Sequence, residues 1–530
     1  MRLKITDIPV MPGDGEENLP ALAADILGIS PEEISGLEIM RKSLDARRSR
    51  PPLFIYAVVV SVSDSIIIPN IKDRRISKAP DLSVPSNHLR KSVLTERRPV
   101  VVGSGPAGLF AALFLASAGM PVLLIERGRA VPERIRDVED FWGRRHFHPE
   151  SHVHFGEGGA GTFSDGKLTS RVKNPLTAWV KKTFVEMGAP TDILIDAKPH
   201  IGTDRLRGVV VQMRRRLQEL GCEIRFDAKM TDLIVHQEAV TGIVINGKEE
   251  IATDRVILAI GQSADDSYEM LLDRGVRLVP KAFAVGLRVE HPQALINEIQ
   301  YGPWIGPDLP PAEYVLTARI PTLDRSVYTF CMCPGGRVIG CSAIEKGVIT
   351  NGMSVSLRDG VFANSAVVVN IRTDDFAGKS FDPLSGLRFR RQWEAGAYDL
   401  GGGNYSAPAQ RLVDFLRGCL TEGKIKTSYL PGVVSAPLDR ALPRFAVEAL
   451  QKGLTAFNVK MPGFITEEAV LIGVETRTSS PVRIVRGEDG QSVSVRGLFP
   501  CGEGAGYAGG IISSALDGIR AAEFLLKSCQ

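Results

Sequence analysis

The sequence predicts an α/β protein built on a Rossmann-type nucleotide-binding domain, with an inserted α+β domain and a small N-terminal α+β domain. Three observations lead to this prediction. A strand, a glycine turn, an apolar helix and a second strand follow one another over 99–128, which is the βαβ unit of such domains. A further buried strand is expected at 255–260. A strand, a glycine loop and a helix at 498–527 then complete the domain late in the chain.

At 530 residues the chain is too long for one compact core, which predicts two or three domains. The 64 basic and 61 acidic residues nearly balance, so no strong attraction to nucleic acid or to an anionic membrane is expected. The seven cysteines are scattered, unlike the framework of a small secreted domain. We find neither a signal peptide nor an apolar window of about 18 residues. We therefore expect a soluble, cytoplasmic protein without a membrane partner.

Residues 1–95 are predicted to form the N-terminal domain and a basic linker. The expected elements are strands at 3–8, 37–41 and 53–62 and a helix at 19–27. From residue 63 the periodicity is lost and Pro, Ser and basic residues accumulate, which is typical of a linker.

The basic residues of this region suggest an alternative function. They are Arg47, Arg48, Arg50, Lys72, Arg74, Arg75, Arg90, Lys91, Arg97 and Arg98. Such a cluster can bind RNA phosphates, but only Phe54 and Tyr56 are available for stacking, and a solvated face is the commoner role. Binding to nucleic acid is therefore the less favoured hypothesis.

The nucleotide-binding domain is expected in two parts, 96–280 and 466–530, which enclose a substrate or cap domain at 281–465. The first part continues with a helix at 206–217 and short strands up to residue 260. The enclosed region mixes short strands with Gly and Pro turns. The helices expected within it lie at 409–416 and 444–453.

The first glycine turn has the spacing of a dinucleotide site. Gly103 permits a tight turn, Gly105 lets the backbone approach a pyrophosphate, and Gly108 lets the helix pack closely on the strand. Pro106 and Ala107 lie between them at the start of the helix, whose N–H groups and partial positive charge favour phosphates.

An acidic residue completes this motif. Glu126 stands 18 residues after Gly108, at the end of the second strand. A carboxylate at this place accepts hydrogen bonds from ribose hydroxyls and disfavours a 2′-phosphate, which argues against NADP in this pocket. Arg127 follows directly and is included in the predicted site.

Later segments favour FAD over NAD as the bound nucleotide. The strand 256–261, which ends in Ala259 and Gly261, has the form of the second strand motif that flavoproteins place beside the glycine turn. In 497–511, Glu503 takes the acidic position of a C-terminal flavin closure, and a helix N-terminus follows that would stabilise negative charge on the reduced flavin. The predicted FAD-binding residues of this closure are Gly502, Glu503, Gly509, Gly510 and Ile511.

The segment 155–168 is rich in glycine and hydroxyl groups and is predicted to wrap the flavin. Its candidate residues are Gly158, Gly159, Gly161, Thr162, Phe163 and Ser164. FAD, held without a covalent bond, is therefore the predicted cofactor.

Together these motifs resemble the uncharacterised FAD-dependent dehydrogenases of bacteria. The resembling stretches are GEGGAGTFSDGKL at 156–168, TFCMCPGG at 329–336, GGGNYSAP at 401–408 and GVETRTSSPVRIVR at 473–486. The resemblance covers nearly the whole chain, including the N-terminal domain. It implies a flavin domain like those of fumarate reductase and glutathione reductase, and it implies no established substrate.

Candidate catalytic residues come from the same stretches. Arg477 and Arg483 lie among hydroxyl side chains and are predicted to hold an anionic substrate or the electron-rich edge of the flavin. Surface arginines beside a turn are the alternative. Lys167 and Tyr507 are the candidate proton donors.

Half of the eight histidines fall within 146–154, a pattern that suggests a metal site. No cysteine or spaced carboxylate set completes a ligand shell there, so no metal is predicted. A role beside the flavin or on the surface is favoured, and His154, next to the glycine-rich segment, is the histidine to test.

The cysteine pair at 331 and 333 has two interpretations. Cys331 and Cys333 could be a redox pair, but a single intervening residue strains a disulfide. Small buried hydrophobic residues are the favoured interpretation. Cys501 is expected to pack near the flavin without reacting.

We find no second strand, GxGxxG turn and helix that would bind NAD(P)H. The electron donor or acceptor is therefore left open among NAD(P)H bound outside a Rossmann site, a small electron carrier and the substrate itself. The predicted function is an FAD-dependent oxidoreductase that transfers hydride or electrons between flavin N5 and a small molecule. The alternative is a flavin-dependent RNA-modifying or RNA-associated protein.

Overall fold

The computed structural model describes residues 1–47, 50–79, 97–170, 172–378 and 382–529. Its strands are β1 (Arg2–Val10), β2 (Ile34–Asp45), β3 (Leu53–Val62), β4 (Ile76–Lys78), β5 (Val100–Val102), β6 (Leu123–Ile125), β7 (Glu223–Arg225), β8 (Met230–His236), β9 (Ala239–Ile245), β10 (Glu249–Ala252), β11 (Val256–Leu258), β12 (Leu278–Pro280), β13 (Phe283–Pro292), β14 (Thr317–Ile320), β15 (Arg325–Gly340), β16 (Thr350–Met353), β17 (Phe362–Ile371), β18 (Ala407–Arg411), β19 (Val433–Ser435), β20 (Val470–Glu475), β21 (Val482–Ile484) and β22 (Leu498–Pro500). Its α-helices are α1 (Leu19–Leu27), α2 (Pro106–Ser117), α3 (Val131–Arg144), α4 (Leu176–Glu186), α5 (Thr203–Glu219), α6 (Asp265–Asp273), α7 (Gln293–Tyr301), α8 (Ser385–Leu400), α9 (Leu412–Arg417), α10 (Arg444–Lys460) and α11 (Ile511–Ser528).

A five-stranded parallel sheet in the order β22-β11-β5-β6-β7 forms the centre of the nucleotide-binding domain. Strands β5, β6, β11 and β22 are buried along their whole length, as apolar runs are in parallel sheets covered on both faces. Strand β22 comes from late in the sequence and lies beside β11, with Leu498 opposite Val256. The predicted Rossmann-type domain, assembled from separated parts of the chain, is confirmed.

Helices α2 and α11 pack against each other and share one core with this sheet. Every residue of α2 from Ala107 to Ala116 is buried, which fits a helix that is apolar on all sides. The two helices approach closely at Gly518 of α11, where a Cβ atom would lie 2.0 Å from the carbonyl oxygen of Ala107. Residue 518 therefore has no room for a side chain.

An eight-stranded sheet forms the cap domain. Its order is β14-β15-β17-β13-β20-β18-β19, with β16 paired to β15. Helix α10 packs on this sheet, and apolar side chains such as Leu454 and Phe457 of the helix share a core with Val327 and Val367 of the strands. This sheet supplies one wall of the cavity described below.

Two predictions for this region differ from the structure. The predicted helix 409–416 is a strand up to Arg411, because Ala407–Arg411 pairs with β19 and β20, and α9 begins only at Leu412. Strand β20 lies in the cap sheet, although the second part of the nucleotide-binding domain is predicted to begin at residue 466. In both places pairing between strands that are distant in sequence decides the structure. The sequence of the segment itself gives little indication of such pairing.

The N-terminal domain is an antiparallel sheet in the order β2-β3-β1-β4, covered by α1. Strand β4 falls in the stretch that is predicted as a linker, and most of the remaining linker, 80–96, lies outside the described residues. The domain is hydrogen-bonded to both of the others. The Lys42 N–H donates to the Ile195 carbonyl at 2.9 Å, and the Gln300 side chain donates to the Ala46 carbonyl at 2.9 Å.

Two small sheets complete the described fold. Strands β10, β9 and β8 form an antiparallel sheet, and β12 pairs with β21. None of the helices in the described parts of the chain combines the length and the apolar composition needed to span a bilayer.

Candidate functional site

A cavity of about 380 Å³ opens where the loops after β5, β11 and β22 meet the cap sheet. The carboxyl ends of parallel strands lie at one edge of a sheet, which is where nucleotides bind in such folds. The predicted cofactor residues that line it are Gly103, Gly105, Pro106, Ala107, Glu126, Arg127, Gly159, Gly161, Ser164, Ala259, Gly261, Gly502, Glu503, Gly509, Gly510 and Ile511. Residues from five separate stretches of sequence are thus brought together at one site.

The first and third glycines of the first glycine turn have no space for a side chain. Gly103 has a φ of 99°, and a Cβ atom on it would lie 2.3 Å from the Ala259 carbonyl oxygen. A Cβ atom on Gly108 would lie 1.8 Å from the Gly103 carbonyl oxygen. Gly108 does not line the cavity, so the structure gives it the packing role that was predicted for the third glycine.

The helices α2 and α11 both begin at this cavity. Their N-cap residues, Gly105 and Gly510, cap no N–H group with a side chain. The first N–H groups of each helix are therefore available to a ligand, and they carry the partial positive charge that binds phosphates or an anionic flavin. This arrangement fits FAD, whose pyrophosphate and isoalloxazine ring each need such donors.

Glu126 links three loops around the cavity. Its Oε2 accepts hydrogen bonds from the Ser104 N–H and hydroxyl, both at 2.8 Å. Its Oε1 accepts from the N–H groups of Gly128 and Gly156, both at 3.0 Å. The carboxylate that is predicted to bind ribose therefore also fixes the glycine turn against the segment that follows Phe155.

Arg127 is held from two directions. Its guanidinium lies 3.9 Å from the centre of the Phe155 ring, and it donates to Glu150 at 2.6 Å and to Asp266 at 2.8 Å. Burial opposes the charge, but these two carboxylates raise the pKa of Arg127 above its ordinary value. Arg127 is therefore a fixed cation at the rim of the cavity.

Three predicted flavin-wrapping residues lie behind the cavity wall instead of on it. Gly158, Thr162 and Phe163 are absent from the lining. Thr162 donates to the Glu157 carbonyl at 2.9 Å, and the Phe163 ring lies between the guanidiniums of Arg134 and Arg207 at 4.9 and 4.8 Å. These residues shape the turn that presents Gly159 and Gly161 to the cavity.

Glu503 lines the cavity beside a residue that the sequence analysis missed. The Gln262 side chain donates to Glu503 Oε1 at 3.0 Å and to the Arg477 carbonyl at 2.7 Å. Burial raises the pKa of Glu503 to about 7, against a lowering by Lys281 and by the hydrogen bond from Gln262. Gln262 lies in the loop that follows the buried strand β11, at the edge of the sheet where nucleotides bind, and this position could have identified it.

Arg477 lines the cavity, but its charge is already balanced. It donates to Glu394 through Nε at 3.0 Å and through Nη2 at 2.9 Å, and Asp265 lies 3.8 Å from Nη1. The Arg477 and Glu394 side chains are almost completely buried. Arg477 is predicted to hold an anionic substrate or the electron-rich edge of the flavin. What it can offer to either is the Nη1 amino group, which makes no hydrogen bond within the described chain.

Lys167 and the cysteine pair lie together at the cap side of the cavity. Lys167 Nζ is 3.5 Å from Asp165 Oδ2 and 4.0 Å from Cys333 Sγ, and it donates to the Met332 carbonyl. Cys333 is buried as predicted, whereas Cys331 is partly exposed and lines the cavity. The interpretation of both as simple core residues therefore fails for Cys331.

Arg483 and Tyr507 do not line the cavity. Strand β21 alternates between buried and exposed residues, and its middle residue, Arg483, points outward. Its guanidinium lies 5.1 Å from the centre of the Tyr507 ring, and that of Arg486 lies 3.8 Å from it. These two predicted catalytic residues therefore belong to a surface cluster.

The histidines of 146–154 separate in the structure. His146 is exposed and lies 3.0 Å from Asp140, whereas His154 is at the cavity. Burial, helped by the nearby Arg477 and Arg390, lowers the pKa of His154 to about 3, so its ring is neutral. Among the described residues no group of three or more potential ligands is arranged to hold a metal ion.

The described basic residues near the N-terminal domain are mostly paired. Arg47 and Arg50 both bind Asp45, Arg75 binds Asp73, and Arg98 binds Glu223. Arg48, Arg90 and Lys91 lie outside the described residues. Because these pairs neutralise much of the local charge, the structure adds no support to RNA binding.

Family models match three parts of the chain. A model described as FAD binding domain matches 97–136, and one described as FAD-dependent protein, C-terminal domain-like, matches 282–478. A domain of unknown function (DUF8436) matches 2–61. The two FAD models confirm the predicted cofactor.

An uncharacterised protein of Clostridium beijerinckii is 42% identical over 531 residues, which is 99% of both chains. Among solved structures, quinol fumarate reductase FrdA of E. coli is 12% identical with a TM-score of 0.37, over 82% of this chain and 70% of that one. The FAD complex of the Bacillus halodurans glycerol-3-phosphate dehydrogenase is 13% identical with a TM-score of 0.32, over 84% and 66%. These structural scores are too low to transfer a reaction or a substrate.

Proposed function

The chain belongs to a family of FAD-dependent proteins, and from this premise we propose that it is an FAD-dependent oxidoreductase. FAD supplies transfer of hydride or electrons at flavin N5, and the chain supplies binding, orientation and a proton. The proposed substrate is a small molecule that binds between the flavin and the cap sheet.

The observation that carries this proposal is a set of buried polar atoms without partners in the residues that line the cavity. His154 Nε2, Ser263 Oγ and Arg477 Nη1 make no hydrogen bond within the described chain. Leaving such an atom unpaired costs about 1–3 kcal/mol. A bound molecule with several polar atoms would pair them, so they favour a polar cofactor and substrate over an apolar ligand.

The same side chains define what the site can do. Glu394 fixes the Arg477 guanidinium, so Nη1 is held in one direction as a donor to a ligand oxygen. The neutral His154 ring offers its Nε2 as a second hydrogen-bonding group. Both groups orient a ligand without adding an uncompensated charge to the buried wall.

Lys167 is the proposed proton donor. Burial would lower its pKa, but the neighbouring Cys333, Cys331 and Asp165 raise the pKa of Lys167 above its ordinary value, so it carries a proton at neutral pH. Its position on the cavity wall lets it hold that proton beside the substrate. Tyr507, the other candidate proton donor, does not line the cavity and is not assigned this role. Arg483, predicted to hold an anionic substrate or the flavin edge, is not assigned that role for the same reason.

The proposed electron donor is NAD(P)H bound outside a Rossmann site, or a small electron carrier. The test is anaerobic mixing of the purified protein with NADH or NADPH while the flavin absorbance is followed. If one nucleotide bleaches the flavin, that nucleotide is identified as the donor. If neither nucleotide bleaches it but an added electron carrier reduces it, a small electron carrier is supported as the donor. A flavin that neither type of donor reduces would overturn both choices and leave the substrate itself as the electron donor. A purified protein that contains no flavin would overturn the oxidoreductase proposal.

Matched variants connect this test to the site. Gly103→Ala should lose FAD, because the added Cβ would meet the Ala259 carbonyl oxygen at 2.3 Å. Gly143→Ala, on an exposed helix position with no atom within 4 Å of the added Cβ, should keep it.

Lys167→Gln should keep FAD and slow reoxidation by a proton-requiring acceptor. An unchanged rate would remove Lys167 as the donor.

A further inference from the structure

We propose that Cys331 and Cys333 form a redox-active dithiol in the wall of the cofactor cavity, and that it reduces the disulfide bond of a small-molecule substrate. The thiol chemistry stands on the geometry of the chain alone. Repeated turnover rests on the proposed function, because it needs electrons from reduced FAD.

An irregularity in β15 creates the pair. Phe330 lies opposite Ala366 and Cys333 opposite Asn364, so Cys331 and Met332 both face the single position between them on β17. Cys331 has a φ of 48°, which is left-handed backbone in the middle of a strand. Such a bulge costs free energy at a residue other than glycine, and it is typical of a functional site.

The bulge brings Cys333 close to Cys331. Cys333 Sγ donates to the Cys331 carbonyl at 3.3 Å, so the buried thiol is turned back toward the accessible cysteine. Neither cysteine is in a disulfide. The pair therefore needs no rearrangement of distant chain segments to react. One intervening residue strains the disulfide that forms, and a strained disulfide is more easily reduced back to the dithiol.

The two thiols differ in access. Cys331 lines the cavity, beside Phe330 and Lys167, whereas Cys333 lies buried behind it. Such asymmetry suits a sequential reaction, in which the accessible thiol attacks the substrate and the buried thiol completes the exchange.

Two cations lie close to the cysteine pair. Lys167 Nζ lies 4.0 Å from Cys333 Sγ, and Arg288 Nη1 donates to the Cys331 carbonyl at 3.3 Å. The hydrogen bond from Cys333 lowers the pKa of Cys331, with help from Lys167 and Arg288, while the pKa of Cys333 is raised. The thiolate, which is the nucleophilic form, is therefore favoured at the accessible sulfur.

The exchange balances without another reactant. The Cys331 thiolate attacks one sulfur of the substrate disulfide, that S–S bond breaks, and the first thiolate leaves and takes a proton. Cys333 then loses its proton and attacks Cys331 Sγ, which forms the Cys331–Cys333 disulfide and releases the second thiol. The substrate gains two electrons and two protons, and the pair loses them. Return to the dithiol takes two electrons and two protons, which reduced FAD supplies.

The experiment uses the intact, FAD-containing protein and oxidised glutathione as the probe. Both cysteines lie between Arg325 and Arg337, so trypsin releases them in one peptide, 326–337. After anaerobic reduction, removal of the reductant, reaction with the probe and alkylation, this peptide should carry an internal disulfide. Cys333→Ser should stop at a glutathione adduct on Cys331, and Cys331→Ser should prevent the reaction. Cys419→Ser, which removes an exposed thiol outside the cavity, is the control and should change nothing.

The outcomes separate this inference from the proposed function. A wild-type peptide that stays fully alkylated, or Cys331→Ser reacting like the wild type, would overturn the inference even if NAD(P)H bleaches the flavin. An internal disulfide in a protein that is purified without flavin would leave the thiol site standing and remove the proposed function. With the flavin reduced first, adding the probe should restore the flavin absorbance, and Cys331→Ser should slow this recovery at least tenfold.

Discussion

The contact between α2 and α11 makes a sharp prediction about stability. Gly518→Ala adds one methyl group where the carbonyl oxygen of Ala107 would lie at 2.0 Å and its carbonyl carbon at 2.7 Å. Ordinary contacts between such atoms are at roughly 3.5–4.0 Å. The helices must therefore move apart by more than an ångström to accommodate the methyl group. Ile511, the first residue of α11, lines the cofactor cavity about two turns before Gly518.

The magnitude follows from a matched substitution. Gly208→Ala lies in the middle of α5, is exposed and would place its methyl group with no atom within 4 Å. Both changes gain about 0.5–1 kcal/mol from replacing glycine by alanine in a helix. Only Gly518→Ala carries the cost of overpacking, about 1–3 kcal/mol. The free energies of unfolding of the two variants should differ by that cost.

The assay is thermal unfolding of the FAD-bound protein, followed by the fluorescence of the released flavin. For a domain of 150–250 residues, about 1 kcal/mol shifts the midpoint by about 2–4 °C, so Gly518→Ala should melt roughly 2–12 °C below Gly208→Ala. Gly518→Ala should also release FAD more readily at constant temperature. Equal midpoints for the two variants would refute the close packing of α2 on α11.

Three further predictions concern the cavity. Arg477→Met leaves Glu394 buried without its partner and should lower the free energy of unfolding, measured in denaturant, by about 3–5 kcal/mol. The double variant with Glu394→Leu should recover most of this loss. If the effects of the two substitutions were additive, the energetic coupling of Arg477 and Glu394 would be refuted. Glu126→Ala removes the acceptor of four hydrogen bonds around the glycine turn and should weaken FAD binding at least tenfold in equilibrium titration. An unchanged affinity would show that Glu126 does not hold the FAD site in shape. Since burial raises the pKa of Glu503 to about 7 from an unfolded value near 4.5, the folded chain retains a proton that the unfolded chain releases. The stability of the FAD-free protein should therefore fall by about 2 kcal/mol as pH rises from about 5 to 7. Glu503→Gln should flatten this part of the pH curve, and a wild-type curve that is already flat would contradict the raised pKa.

The parts of the fold that the sequence predicted best are those with strong local constraints. Gly103 and Gly108 have no space for a side chain, and the strands beside this turn are short apolar runs rich in Val, Leu and Ile. The later loop at Glu503 likewise follows a short strand, is rich in glycine and precedes a helix. Each of these patterns is confined to a few adjacent residues, so it can be recognised without knowledge of the rest of the chain. The combination of these patterns was sufficient to predict FAD as the cofactor.

The arrangement of charges within the site could not be predicted in this way. Glu394 and Arg477 are 83 residues apart, and nothing in the helix that carries Glu394 indicates which cation it will meet. The access of Cys331 depends on a bulge, and bulges have no fixed sequence pattern. The outward position of Arg483, however, could have been predicted from the sequence. Val482 and Ile484 are apolar neighbours on a strand, so the residue between them faces outward.

The late position of β22 and α11 has a consequence for how the protein is made. As the chain leaves the ribosome, β5, β6 and β11 emerge long before β22, so the outer edge of β11 stays unpaired until most of the cap has been synthesised. The wall that contains Glu503 and Ile511 is then still missing. We therefore expect FAD to bind only after α11 has been synthesised, and bound FAD then stabilises the folded chain by mass action.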